Sequence, residues 1–402
     1  MSSFNSTVNI TSTGTLSQGG GTTANFSNGV YTTNNNRNII ISNIGKFTLT
    51  ATRTGGTESG TSNAFYVGRV YYSRQSGNFN GNIWSTVSSG NPQLVTGAHP
   101  SSGDIAVIQN GTTVTVTSKD SCKALLFNGA LATLNINDNT ALIVNDYLKV
   151  NNAAASDVVC NIIGLGSLSC ETITLGGSTK PTSSKTTTIN DSLSNMNINS
   201  NINIYGRQNK SNRNNPVFNL KTGMLSVGGN INSIGQASST STFTMATGSN
   251  NATLKWSSPN PAFTLTGTNN SGTITFGVNV NGSATTVNYN GSVNQTIPVT
   301  YQSSRVRGAT PISSVLQYRN LTVSNSGLKR VAKSIIINGE LKVDSSATFL
   351  LDSLNRFSTA ATPLVLNGGT FSTGATVGYG DTLGTIKLTG DASIDLSTGK
   401  HK

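Results

Sequence analysis

The chain has 402 residues, of which only 10% are charged and 35% hydrophobic, with 43 Gly, 9 Pro and roughly two-fifths Ser, Thr or Asn. Its formal net charge is +12, from 26 Lys and Arg against 14 Asp and Glu. No run of about 18 apolar residues occurs, which excludes a membrane-spanning helix, and the thin apolar share argues against a deep spherical core for a chain of this length.

From the start to Val67 the sequence reads as short hairpins: STVNITSTGTLSQGG, NRNIIISNIGKFTLTATRTGG and ESGTSNAFYV. From Tyr71 the character changes. Short alternating apolar runs recur, as in TVTV (Thr113–Val116), ALIV (Ala141–Val144), NINI (Asn201–Ile204), GTITF (Gly272–Phe276) and SIII (Ser334–Ile337). Each is bounded by Gly, Asn, Ser or Thr, the residues of turns. NDYLKV (Asn145–Val150) echoes NGELKV (Asn338–Val343), which points to an internal repeat. No segment of 11 or more residues carries a 3.6-residue period. The nearest, LKRVAKSIII, is short, ends in three β-branched residues and reads as strand.

These signals predict an all-β fold: a partial immunoglobulin-like sandwich over residues 1–67, then a parallel, right-handed β-solenoid over 68–402 whose first part, about 68–105, caps it. At about 20 residues per coil and a strand spacing of about 4.8 Å, some 16 coils would make a rod about 75 Å long. The physics suits the composition. Each coil buries a thin row of side chains against its neighbours, so alternate positions select Val, Ile and Leu. Corners select Gly and Asn, and outward Thr suits a strand surface. Disorder accounts poorly for the register of the β-branched residues.

Two stretches resemble known modules. KFTLTATRTGGTESGTSNAFYV is similar to the closing strands of bacterial immunoglobulin-like repeats, through Phe47, Leu49, Ala51, Ser62, Asn63, Phe65 and Val67. A complete domain needs about seven strands and about 100 residues. The missing edge is expected from upstream sequence or from a strand donated by another subunit. The stretch from Tyr71 resembles a module of large adhesin-like surface proteins of Bacteroidota-type bacteria, often exported by type IX secretion. Tyr71, Tyr72, Ser73, Ser76, Gly77, Asn78, Trp84, Pro100, Gly103, Asp104, Asn110, Gly111, Val114, Val116, Cys122 and Leu125 match it in order, with Phe79 in place of the usual Trp. TTVNYNGSVNQTIPVTYQ, the LQYRNLTVSNSGLKR segment and the closing GYGDTLGTIKLTGDASIDLSTGKHK resemble further units of the same group. The resemblance implies a secreted chain, and the start, MSSFNSTVNITSTG, lacks the basic and apolar regions of a signal peptide. A mature form or a piece of a longer protein is therefore expected.

Residues able to do chemistry are few. Asp138 with Asp146, or Asp391 with Asp395, could form a carboxylate pair of the kind polysaccharide-cleaving enzymes need, but neither sits among His, Lys and Arg in the sequence. No catalytic, cofactor or metal residue is therefore assigned. Calcium loops and zinc spacings are also missing from the sequence. Cys160 and Cys170 could lie on neighbouring strands and form a disulfide, buried free thiols being the alternative. Trp84 with Tyr71 and Tyr72 could stack a sugar, or plug the first coil. The densest cations are Arg207, Lys210 and Arg213, then Arg305 and Arg307, then Lys329, Arg330 and Lys333, without the aromatic interleaving of a nucleic-acid binder. They read as solvated loops, or as a weak attraction for acidic polysaccharide. The family resemblance implies O-glycosylation at Asp-(Ser/Thr)-aliphatic sites, hence at Ser192, Ser353 or Thr382.

The sequence thus predicts a non-enzymatic segment of an extracellular adhesin or filament protein, without cofactor, acting by multivalent contacts. Its expected partners are surface or extracellular polysaccharide or other copies of itself, not nucleic acid and not the membrane interior. Secretion machinery joins them if a longer chain carries a sorting domain. The alternatives are a polysaccharide-binding or polysaccharide-degrading β-helix protein, and a phage fibre or filament subunit completed by strand donation.

Overall fold

The computed structural model describes residues 7–18, 21–27, 30–31, 40–41, 45–63, 65–89, 94–151, 156–177, 182–209, 212–235, 238–245, 251–267, 273–306, 309–351, 356–357, 362–373 and 383–396. Among these the regular structure is all β. Near the N-terminus five strands form one sheet, in the order Val30–Tyr31, Gly21–Ser27, Thr7–Ser12, Leu49–Arg53, Ser59–Thr61, with every neighbour antiparallel. Val8 and Ile10 are buried there with Leu16, Leu49 and Ala51 packed against them. Ser62, one of the residues matched to the immunoglobulin-like pattern, ties down this sheet: its Oγ accepts the Leu49 amide at 3.0 Å and its own amide donates to the Leu49 carbonyl at 2.8 Å.

From Val70 onward the pairing changes to parallel. Strands pair mostly with the third strand before and after them in the chain, as Ile105–Gln109 does with Val70–Ser73 and with Ala124–Asn128. The register lines up inward columns. One runs Cys122, Val144, Cys170, Ile198, Val227, Trp256, Tyr289, Val323, Val343, Leu366 and Leu388, each opposite the next. A second runs Tyr71, Ala106, Leu125, Leu148, Ile173, Ile202, Ile231 and Phe263. A third runs Val114, Leu134, Ile162, Asp191, Leu220 and Met245. Because a strand alternates its faces, the columns exclude water while the residues between their members face out; Leu388, the last member of the first column, is the exception and is exposed. The burial follows suit: Lys185–Ile198 and Asn212–Leu220 alternate buried and half-buried over most of their length.

The length of chain per period is not constant, as the sequence reading had it. Along the first column the step is shortest from Val323 to Val343 and longest from Tyr289 to Val323. The long periods contain antiparallel excursions. Ile202–Asn209 doubles back on Asn212–Leu220, and Thr300–Val306 pairs antiparallel with both Thr273–Asn279 and Ile312–Val315. A period-two pattern fixes the inward rows but is silent on how much chain loops out between them.

Outward Asn side chains form short ladders. Asn190 Nδ2 donates to Asn161 Oδ1 at 3.0 Å, and Asn219 Nδ2 to Asn190 Oδ1 at 3.0 Å. Asn232 Nδ2 donates to Asn203 Oδ1 at 2.9 Å, and Thr264 Oγ1 to Asn232 Oδ1 at 2.6 Å. An amide carries donor and acceptor together, so it repeats along a parallel stack without the repulsion that like charges would bring.

At the first paired strands, Trp84 and Phe79 are fully buried, with ring centroids 5.4 Å apart and the indole Nε1 donating to the Phe79 carbonyl at 2.6 Å. Tyr71 is buried as well. Buried rings offer no face to a sugar, so Trp84 and Tyr71 plug the interior. Asp104 joins this region to the strands that follow: Oδ1 accepts the Arg69 amide at 2.8 Å, and Oδ2 accepts the Ser101 amide and hydroxyl at 3.0 and 2.6 Å.

Of the two readings of the cysteines, the structure has the buried free thiols and not the Cys160–Cys170 disulfide. Cys122, Cys160 and Cys170 are all free and buried. Cys160 and Cys170 lie on one strand, Val158–Gly176, in different columns: Cys160 stands opposite Ala132 and Ile189, Cys170 opposite Val144 and Ile198. Two thiols bond only when their Cβ atoms face each other, and here each faces its own column. Burial pushes the Cys170 thiol up to about 12 and raises Cys122 and Cys160 as well. These are inert packing groups, not nucleophiles.

Candidate functional site

Most ionisable side chains expected from the sequence to attract attention are engaged in turns or joints. Asp138 Oδ1 accepts the Asn139 amide at 2.9 Å, supporting Asn139 at φ 57°. Asp138 lines a shallow cavity of about 420 Å3 with Lys119, and Asp146 is not among its lining residues. Asp395 Oδ2 accepts the Ser372 hydroxyl at 2.9 Å, while Asp391 is exposed. Ser192 is half-buried on Lys185–Ile198, with Asp191 and Leu193 both buried on either side. An enzyme that reads the aspartate of this tripeptide would have to reach it before the strand is laid down. Ser353 and Thr382 lie outside the described residues.

Two ionisable residues that the sequence reading set at the surface are buried: Lys329, read with its neighbours as a solvated loop, and Asp191 of the Asp-Ser-Leu site. Lys329 is fully buried, and its ammonium donates to the carbonyls of Gly291 and Ser326 at 2.8 Å and of Val293 and Gly327 at 3.5 Å. Beside it in register, Gln295 accepts the Gly291 amide and donates to the Trp256 and Ser258 carbonyls. Desolvation lowers the lysine's pKa. With its donors spent on backbone carbonyls, Lys329 is a structural plug. Asp191 is the other: fully buried between Ile162 and Leu220, its Oδ1 accepts the Leu193 amide at 3.0 Å and its Oδ2 has no partner. Burial pushes it up to about 8, which keeps it neutral at moderate pH.

An arrangement that brings cations, an aromatic ring and a hollow together lies on the outer face of Ile202–Asn209. Asn203, Tyr205 and Arg207 alternate outward on this strand. The preceding strand places Thr174 opposite Asn203 and Gly176 opposite Tyr205, and the strand before that places Lys149 opposite Thr174. The following strand sets Ile234 opposite Tyr205. Gly176 is required: at φ +83° its backbone is in the left-handed region, and a Cβ there would stand 2.4 Å from the Tyr205 carbonyl oxygen.

The result is a recess of about 310 Å3 lined by Lys149, Thr174, Gly177, Tyr205, Gly206, Arg207 and Ile234. Its size is at the small end for ligand sites, which run from about 300 Å3. Two donors beside it are orphaned. Arg207 Nε is buried without a hydrogen-bond partner. So is Nδ2 of Asn214, which is opposite Arg207 in the antiparallel pair, is fully buried, and accepts the Thr187 hydroxyl on its other atom at 2.8 Å. Among the described residues no carboxylate lines the recess, and no group of three or more His, Cys, Asp and Glu is placed to hold a metal.

The sequence singled out Arg207 only as one of a scattered group. Lys149 and Tyr205 belong to strands well separated in the chain, and only the register joins them. No family model, curated protein or solved structure matches this chain.

Proposed function

We propose that the chain is a non-enzymatic segment of an extracellular bacterial surface protein, in which an immunoglobulin-like piece precedes a parallel β-solenoid and binding is multivalent. The observation that carries this reading is the inward column from Cys122 to Leu366, stacked in parallel register. A stack of this kind repeats its outer face at about 4.8 Å intervals. Weak contacts repeated along such a face add through effective concentration instead of through one deep pocket. The resemblance of the segment from Tyr71 to adhesin-like modules supports the surface location, and the short Asn ladders between Asn161 and Asn232 give part of that face a repeated hydrogen-bonding character.

The test has two parts. Small-angle scattering of the full chain should give an elongated particle, and a compact one would sink the solenoid. Incubation with neutral and acidic polysaccharides should yield bound polymer with no new reducing ends or unsaturated products. Appearance of either product would move the chain to the polysaccharide-degrading alternative. Sedimentation that shifts with concentration would instead favour a filament subunit.

A further inference from the structure

We propose that the recess between Lys149, Tyr205 and Arg207 binds an oxyanion borne on a sugar ring, the uronate carboxylate or sulfate ester of an acidic polysaccharide. The inference rests on the reading of the chain as a surface rod and names the ligand of one place on it.

Three observations converge. The first is charge: two cations meet at one hollow, and no carboxylate lines it. The second is unmet donor capacity. An orphaned buried N–H costs free energy comparable to a lost hydrogen bond, and a charged donor costs more. Arg207 Nε and Asn214 Nδ2 are both in this state on opposing positions of one strand pair. Of the two, Arg207 lines the recess, while Asn214 is fully buried behind it in the strand pair, so Arg207 Nε is the donor offered to a ligand. An oxyanion seated against Arg207 satisfies Nε and the adjacent guanidinium nitrogens together, in the planar geometry that guanidinium groups favour. The third is the ring. Tyr205 stands beside a glycine on one flank and Ile234 on the other. That arrangement leaves the half-buried phenol able to cover the apolar face of a pyranose while its hydroxyl stays wet.

The geometry favours a sugar-borne anion over nucleic acid. Single-stranded nucleic acid is held by successive aromatic platforms along a basic track, whereas this recess has one ring. One recess also suffices for a polymer: a chain running along the rod needs only one anchoring point, with the polar ladders contributing the rest.

The experiment uses the full chain, immobilised, with polygalacturonate, dextran sulfate, neutral dextran and oligo-thymidylate as probes. One of the two acidic polysaccharides should bind and neutral dextran should not; which one binds identifies carboxylate or sulfate. R207Q and Y205L should each lower that affinity about tenfold and K149Q about fivefold. R207K should lose as much as R207Q, because both remove the buried Nε. K387Q, an exposed lysine on another strand, should change nothing. Circular dichroism melts establish that each variant is folded. The proposal is overturned if R207K binds like the parent chain, if K387Q falls as far as R207Q, or if oligo-thymidylate competes as well as the acidic sugar. An elongated particle with no effect of these variants defeats the recess alone, whereas a compact particle defeats the rod.

Discussion

The inward columns are built from different materials in two stretches of the chain. Between Cys122 and Ile198 the first column holds only aliphatic side chains and thiols, with Val144 and Cys170 as the members between. From Phe218 to Tyr318 the interior turns aromatic, and the longest step of that column, Tyr289 to Val323, falls at the end of this stretch. Phe218 and Phe243 stack at 5.6 Å, Trp256 and Tyr289 at 6.0 Å, and Tyr289 and Tyr318 share a hydroxyl hydrogen bond of 2.8 Å. After Val323 the first column is aliphatic again, through Val343 and Leu366, and its steps shorten, while outside that column the buried rings of Phe349, Phe357 and Phe371 stack on one another, so the match of ring size to step length belongs to the first column alone. The correlation has a physical basis. Interiors are filled to a fixed density, so a stretch whose strands enclose more space needs larger groups to fill it. Tyr289 and Tyr318 then bring buried hydroxyls, which satisfy each other and the Pro298 carbonyl.

Five perturbations test this contrast, Ile198→Val being set beside Trp256→Ala for direct comparison and the others following in decreasing expected effect. Trp256→Ala should cost about 3–5 kcal/mol, because it removes the largest fully buried side chain of the first column. Ile198→Val, two positions earlier in the same column, should cost about 0.5–1.5 kcal/mol. Denaturant titration that gave equal losses would show the two stretches to be equally packed.

Asp191→Asn probes the aliphatic stretch by pH. The native carboxyl, pushed up to about 8 by burial, holds its proton far more tightly than the unfolded group near 3.8. Its contribution is therefore fully present below about pH 4 and is lost as pH rises through about 8. The Asn variant keeps an acceptor for the Leu193 amide and should show a flatter melting temperature between pH 4 and pH 8; an unchanged slope would place the titrating group elsewhere.

Asn190→Ala, in the middle of an outward ladder, should cost about 1–2 kcal/mol for two hydrogen bonds. A larger loss on thermal melting would mean that the ladders, and not the inward columns, hold the stack. The smallest effect is expected at the cysteines. A thiol reagent should modify none of them in the native chain and all three after denaturation, and partial labelling of the native protein would show that the aliphatic stretch opens.

How much of this was legible in the sequence depends on distance along the chain. TVTV at Thr113–Val116 is a strand with those same limits, and LKRV within LKRVAKSIII is a strand as read. Period-two alternation is local information, so it survives translation into structure. Register is not local. Nothing near Lys149 announces Tyr205, and nothing near Lys329 announces the carbonyls of Gly291 and Val293. Asp191 shows the same blindness in reverse. In the sequence it belongs to a surface tripeptide, yet the alternation that buries Ile189 and Leu193 buries it too. Cys160 and Cys170 looked close enough to bond, but the strand carries them into separate columns.

The parallel register has a further consequence for how such a chain changes over generations. Along the first column each member faces only its predecessor and successor. Excising Gly228 to Trp256 would set Val227 opposite Tyr289 and leave the remaining order intact. Genetic gain or loss of one whole period therefore alters reach without rewriting a core, much as links are added to a chain.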